Sequence, residues 1–418
     1  MLKNKLKTLL ACLLMNASLT TAQTLSLDDI LIKIRSDNPQ LKMYDAEIRS
    51  MDEAVKGSKS WMPPQLNTGF FMTPYDTEMW KADELNPGMG NYMLGIEQMI
   101  PNPSRQKANQ NLMKAMSSVE KENKNFSVNQ LIAGAKTNYY QLLVLEEKQK
   151  VAAENLLLLS YMIKSMEIRY AYNMDKLPAY YKTVSQYGSL ESMLVMIENG
   201  ISQKKIALNS LMARDISTSF EIDSTYLIRD FNLVQADTAM LAQSRSDLRA
   251  INKTMEINEL RIEAERSNLL PEFGLKYDHM FAFGELPQQF NLMMMVKLPF
   301  APWASKMNKS NQHSYKIKNE SLQFQKQMIL NETSGMLYAM QTEFKNLNKQ
   351  YEIANRNIIP ALKKNYDTAL LAWQNNTGDL SAVQEAWEAL NMAQLDALDK
   401  LEAILVTQVE IERQLEIY

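Results

Sequence analysis

The hydrophobic positions change period in the same order in both halves of the chain. From Leu41, apolar or core-compatible residues recur three and four apart, at Tyr44, Ile48, Met51, Val55, Ser58 and Met62, which predicts an amphipathic helix. A shift of 207 gives Leu248, Ile251, Met255, Asn258, Ile262, Glu265 and Leu269. Pro64 maps onto Pro271, and both helices are expected to stop at that proline, whose ring and missing N–H oppose further winding. The period then falls to two, the spacing of a strand with unlike faces. Tyr92, Leu94, Ile96, Ile100 and Pro101 return 198 positions on as Phe290, Leu292, Met294, Leu298 and Pro299. A third landmark, Tyr170 to Leu177 (YAYNMDKL), matches Trp373 to Leu380 (WQNNTGDL) with a shift of 203. Three landmarks in one order indicate an internal duplication.

Between the landmarks the chain predicts long helices. From Ser104 to about Tyr172 no proline occurs and Gly134 is the sole glycine, so one helix there would run roughly 100 Å. Pro302 to Trp373 would run roughly 105 Å, with bends expected at Gly335 and Pro360. Shorter helices are expected over Ser26 to Trp61, with Ser26 as a cap and Asn38-Pro39 as a second start, and over Pro178 to Ala213, Thr238 to Leu270 and Ser381 to Ile417. The organisation reads as a signal peptide (1–22), a first repeat (23–213; strands about 65–73 and 90–100, turn about 170–178), a mixed equatorial segment (214–237) and a second repeat (238–418; strands about 272–283 and 289–298, turn about 373–385).

The strands separate their residues by polarity. Leu66, Phe70, Met72, Tyr92, Leu94 and Ile96 fall on one face, and Asn67, Gly69, Asn91, Gly95 and Glu97 on the other. In the second copy Phe273, Leu275, Tyr277, His279 and Phe281 oppose Glu272, Gly274, Lys276, Asp278 and Met280. Four segments of this length and pattern fit the wall of a membrane barrel, apolar outside and polar within. Glu97, Lys276, Asp278 and Lys297 are then the candidate lumen charges, and Trp61 and Trp303 stand where an interfacial girdle is expected. Four strands cannot close a barrel. Eight, from two chains, would be filled by side chains, so three chains are expected around a passage.

The N-terminus adds an export signal. Lys3, Lys5 and Lys7 precede an apolar run too short to span a bilayer, and Thr20-Thr21-Ala22 offers a cleavage site. Cys12, the single cysteine, lies within that run as the end of a weak lipoprotein box, so the remaining chain is expected to hold neither a disulfide nor a thiolate site. Removing the three lysines takes the formal charge from −3 to −6, which is no footprint for nucleic acid.

At this point the chain resembles the TolC family of outer-membrane efflux channels, including the branch serving heavy-metal exporters. The resemblance rests on the Asn38-Pro39-x-Leu41 start, the proline–strand junctions at Pro64 and Pro271, the Leu298-Pro299 strand exit, Leu208-Asn209-x-Leu211 and the two landmark turns. It implies a mainly α fold with a membrane β-barrel portion, formed as a homotrimer with a twelve-stranded barrel and an α-helical tunnel in the periplasm of a Gram-negative cell. It implies an exit duct joined by a periplasmic adaptor to an inner-membrane pump of the resistance-nodulation type, without cofactor. It further implies that the landmark turns are the periplasmic tips, placing Tyr170, Asn173, Asp175, Trp373, Asn376, Asp379, Ala382 and Glu385 at the gate. In the family pattern Gly stands where Asn173 and Asn376 stand here, and Asn tolerates the left-handed turn best among other residues. Glu385 reads either as one member of a carboxylate ring or as a solvated acid on a helix face. Asp175 and Asp379 read alternatively as helix caps.

Enzymatic chemistry finds little support. His279 and His313 have no metal-ligand spacing, no phosphate loop or nucleophile elbow occurs, and no catalytic, cofactor or metal residue is assigned. Of 29 methionines, Met93, Met293 and Met295 would alternate into the lumen; thioether suits soft metal, but methionine is also a common core filler. The expected function is therefore a passive channel for small toxic solutes, drugs or metal cations. A periplasmic coiled-coil adaptor or structural protein, and the outer-membrane channel of a type I secretion system, remain the alternatives.

Overall fold

The computed structural model describes residues 23–172, 176–231 and 238–417. The segment read as a signal peptide, with Cys12, lies outside them, as do residues 232–237 of the equatorial segment. The elements run β1 (Gln23–Leu25), α1 (Leu27–Asp37), α2 (Pro39–Ala54), a 3₁₀ turn (Val55–Lys59), β2 (Gln65–Phe71), β3 (Asn91–Ile100), α3 (Pro103–Ala171) and α4 (Leu177–Leu211). They continue with β4 (Phe220–Ile222), α5 (Thr238–Ser244), α6 (Ser246–Ser267), β5 (Glu272–Ala282), β6 (Gln289–Lys297), α7 (Pro302–Ile353), α8 (Ile359–Gln374) and α9 (Leu380–Leu415). The order helix, strand, strand, long helix thus occurs twice. No described helix is long and apolar enough to cross a membrane.

Two compact units divide the chain, and each draws on both repeats. The first contains the described residues up to Lys42, those within Phe126–Arg245 and those from Glu332 onward. Here β1 pairs in parallel with β4, a small sheet that the sequence reading missed; of its two strands only β4 falls in the segment read as equatorial. Ser26 and Asp29 form a reciprocal capping box at the start of α1, and Asn38 accepts from Gln40 N at 2.9 Å to start α2, both as expected. The core around them gathers Ile30, Ile34, Leu142, Leu143, Leu208, Phe220 and Leu405. An ion pair is buried beside it: Lys136 Nζ donates to Glu412 Oε2 at 2.7 Å, and Arg229 lies 3.1 Å from the other carboxylate oxygen. Tyr139 donates to the Asp223 carbonyl at 2.6 Å, and burial, reinforced by the Asp223 charge, pushes its pKa up to about 12. Near the landmark turns a second cluster packs Leu159, Met162, Leu190, Trp373, Val383 and Leu390.

The second unit, Met43–Asn125 with Ser246–Asn331, holds the four-stranded antiparallel sheet, ordered β2-β3-β5-β6. Seam positions Tyr44, Ile48, Met51 and Val55 are less exposed than the residues between them, and Leu248, Ile251 and Ile262 are buried. In the interior Asn258 Nδ2 donates to Asn319 Oδ1 at 2.8 Å, and Asn319 Nδ2 donates onward to Glu259 Oε1 at 2.8 Å.

Several expected boundaries move. The helices before the strands stop at Lys59 and Ser267, short of Pro64 and Pro271, so those prolines open the strands. Met72 leaves the strand pattern: β2 ends at Phe71, and Met72 has a φ of 51°. The helix expected over Thr238 to Leu270 breaks at Arg245, whose buried guanidinium donates to Gln414 Oε1 at 2.6 Å. Helix α7 runs unbroken through Gly335. The expected bend at Pro360 takes the form of a π-turn, Ala354–Ile358, whose wider coil absorbs the missing proline N–H.

Candidate functional site

Two regions hold the candidate residues, one in each unit. In the sheet, antiparallel register carries the separation of faces across all four strands. One face aligns Leu66 and Phe70 with Ile96 and Tyr92, these with Tyr277 and Phe281, and Tyr277 in turn with Leu292. All of these side chains are exposed, Leu66 by 70% and Leu292 by 65%. A contiguous apolar face of this extent marks a surface made for lipid or protein, not water.

The opposite face carries charge. Glu97 lies across from Lys276, whose Nζ is 3.2 Å from Asp278 Oδ2; Lys297 lies across from Glu272 at 3.5 Å, and Arg105 pairs with Glu272 as well. The structure therefore brings all four candidate lumen charges onto one face. Sequence reasoning left Glu272 and Arg105 out of the site, although Glu272 already stood in the right alternation. Asp278 is 2% exposed because it lies over Gly95, where any Cβ would collide with its Oδ1. That oxygen has no hydrogen-bond partner among the described residues.

Aromatic side chains bracket the sheet. Beyond the Phe71 end, Trp80 stacks on Phe283 at 5.0 Å, touches Phe70 at 5.6 Å, and donates from its indole N–H to the Pro74 carbonyl at 2.9 Å. At the Ile100 end Trp61 and Trp303 are exposed. Trp80 ends a single 3₁₀ turn (Thr77–Trp80) and Phe283 lies just beyond β5, stretches too short for a period, so no pattern announced them.

The landmark turns meet in the first unit. Helix α8 ends in a Schellman motif: Thr377 N donates to the Ala372 carbonyl at 2.9 Å, Asn376 N to that of Trp373 at 3.1 Å, and Asn376 takes the left-handed φ of 58°. The expected tight turn at Asn376 is thus present. Arg169, which precedes Tyr170, links the two turns: its guanidinium lies 4.8 Å from the Trp373 ring centre and donates to Asn376 Oδ1 at 2.7 Å. Sequence reasoning missed Arg169, since a lone arginine one residue before a landmark carries no pattern of its own. Tyr170 is exposed, and Asn173 and Asp175 lie outside the described residues. Trp373 is buried, at 1% exposure.

Asp379 holds the N-cap position of α9 but makes no side-chain cap bond, which corrects its reading as a conventional cap. Ala382 and Glu385, three apart on one helical face, are both exposed. The other face is fastened to its neighbours. Gln384 donates to Thr183 Oγ1 at 2.6 Å and to the Ala179 carbonyl at 2.8 Å, and Trp387 donates to Asn155 Oδ1 at 2.7 Å. An acid is thus presented from a braced helix. Among the described residues no three His, Cys, Asp or Glu side chains gather as a metal site.

No protein-family model matches the chain, and no curated protein does. Solved structures match throughout. The outer-membrane channel OprN aligns over 93% of this chain and 89% of that one, with a TM-score of 0.74 at 12% identity. The Campylobacter jejuni CmeC outer membrane channel gives 0.71 over 93% and 85% at 13% identity. The outer membrane protein VceC from Vibrio cholerae gives 0.72 over 93% and 95% at 15% identity. At identities of 12–15% the likeness is one of fold, and this chain has the TolC-like fold of these outer-membrane channels.

Proposed function

We propose that the protein is the exit duct of a tripartite efflux system, a homotrimeric channel in the outer membrane of a Gram-negative cell that performs no chemistry of its own. The observation that carries this reading is the sheet: an exposed apolar face, a charged opposite face, and edge strands β2 and β6 that each have one neighbour among the described residues. Backbone at an open edge cannot face hydrocarbon, so further copies must supply the missing neighbours. Three copies close twelve strands and leave a passage lined by Glu97, Lys276, Asp278 and Lys297.

The landmark turns act in this reading as the periplasmic gate, with Arg169 joining the two turns and Glu385 contributing a carboxylate to the constriction. A periplasmic adaptor grips them, and an inner-membrane pump supplies the energy. The cargo is small toxic solutes. A periplasmic adaptor or structural protein would share the long helices but has no use for a bare apolar sheet. A type I secretion channel would share the whole architecture, and differs in requiring a protein substrate.

Extraction from outer membranes is expected to need detergent, and cross-linking to give trimers that conduct in planar bilayers. A stable monomer in plain buffer would overturn the duct. Replacing Glu385 with Ala should weaken block of the pore by multivalent cations, as expected for removal of a charged ring. Unchanged block would leave Glu385 as a solvated surface acid.

A further inference from the structure

The two ends of the sheet differ in the sign of their charge. At one end the loops 72–90 and 283–288 carry Asp76, Glu78, Asp83, Glu84 and Glu285 against Lys81 alone. At the other end, where the strands meet the helices, the sign reverses. In the stretches 55–64, 101–110, 262–271 and 298–307, Lys56, Lys59, Arg105, Lys107, Arg266 and Lys306 outnumber Glu263 and Glu265. Lys56 is engaged with Glu53 at 2.6 Å, and Arg105 turns to Glu272 on the charged face. Lys59, Lys107, Arg266 and Lys306 are exposed and form no ion pair among the described residues.

One such free cation stands beyond each of the four strands, and an exposed apolar side chain precedes it every time. Moving away from the sheet, Met62 and Trp61 come before Lys59, and Ile100 before Lys107. Leu270 comes before Arg266, and Phe300 and Trp303 come before Lys306. Trp303, Lys306 and Met307 lie three and four apart on α7, so one helical face carries ring, ammonium and thioether together. An apolar band bordered by cations is the order in which side chains meet a bilayer leaflet: hydrocarbon, interface, headgroup. A protein partner would cover one side of the molecule. A band repeated at all four strand ends, continuous with the bare apolar face of the sheet, fits a surface that surrounds it, as lipid does.

We propose that Lys59, Lys107, Arg266 and Lys306 form a collar that recruits phospholipids of net negative headgroup, such as phosphatidylglycerol, to the helix end of the sheet. Basic side chains near a bilayer surface attract anionic lipid, and salt weakens the attraction. The acidic loops at the far end repel the same headgroups, which confines the preference to one leaflet. That this leaflet is the periplasmic one rests on the duct reading; the preference itself does not.

The test uses the full chain carrying Trp80→Phe, which leaves Trp61 and Trp303 as the indoles of the unit that holds the sheet. It is reconstituted in phosphatidylethanolamine vesicles with a minor fraction of dibrominated phosphatidylglycerol, or of dibrominated phosphatidylethanolamine for comparison. Bromine quenches indole fluorescence on contact, so the relative association of the two lipids is read directly. The anionic lipid should be favoured by roughly fivefold, the factor expected of one basic contact per lipid, and added salt should shrink that preference. Lys59→Gln, Lys107→Gln, Arg266→Gln and Lys306→Gln together should abolish it with circular dichroism unchanged, because none of the four holds a partner in the fold. Equal quenching by the two lipids, or a preference that the quadruple variant keeps, would overturn the collar. Loss of the preference to inorganic phosphate at constant ionic strength would assign the cations to a free anion and overturn it as well. Conductance in bilayers of phosphatidylethanolamine alone tests the duct separately. A pore with equal quenching removes the collar alone, a preference without a pore removes the duct alone, and no quenching by either lipid removes both.

Discussion

Asp278 and Gly95 illustrate how one side chain depends on the absence of another. The carboxylate is buried only because residue 95 has no Cβ, and Gly95→Ala is expected to destabilise the sheet by roughly 1–3 kcal/mol through overpacking. Thermal unfolding of the assembled protein in detergent measures it. Tyr139 allows a pH prediction. Its folded-state pKa of about 12 exceeds the ordinary value near 10, so between those values the unfolded chain loses the phenolic proton first. Stability should therefore be intact below pH 10 and fall as pH rises towards 12. Denaturant titrations across that window should steepen less with pH for Tyr139→Phe. Some single residues were readable in sequence: Asn376 stood where a left-handed turn was needed and adopts it. Asp278 was assigned to the correct face, but its burial depends on a glycine in the neighbouring strand, which no single segment reveals.

At the scale of elements, strand alternation and helix seams were legible because each is a local period imposed by burial. All four strands of the main sheet appear within two residues of their expected ends, while the short β1 and β4, at three residues each, contain too few positions for a period. Prolines misled where the chain had stopped winding earlier: Lys59 and Ser267 end their helices before the proline is reached. Of the candidate site, the placing of four charges on one face of the sheet was legible through alternation, whereas Arg169 joins turns far apart in sequence and left no trace there. Neighbouring positions on β6 supply a direct check of the faces. Leu292→Lys on the apolar face should cost roughly 2–4 kcal/mol and reduce assembled protein, while Met293→Lys on the charged face should assemble normally. Semi-native gel electrophoresis reads both. Between α3 and α9, Lys136→Met strands the Glu412 carboxylate in the interior, where only the half-exposed Arg229 remains beside it. Removing one partner of a buried pair costs roughly 3–5 kcal/mol, and adding Glu412→Leu should recover most of it. Urea titrations of the two variants separate these outcomes.

At the scale of the molecule, the two compact units divide the labour. One presents the turns with Arg169, Trp373 and Glu385, and the other presents the sheet. Each unit contains matching parts of both repeats, and in the sheet a hairpin from each repeat joins its neighbour through the β3–β5 pairing. The open rims of the sheet also shape the protein's life before it reaches its destination. In the duct reading, a chain not yet assembled, with β2 and β6 unoccupied, offers two templates to any extended peptide nearby, its own siblings included. Productive assembly then competes with clumping, and the outcome turns on crowding and on holding factors that mask those rims in transit. Yield should accordingly fall when synthesis outruns that protection, even though every chain carries the same instructions.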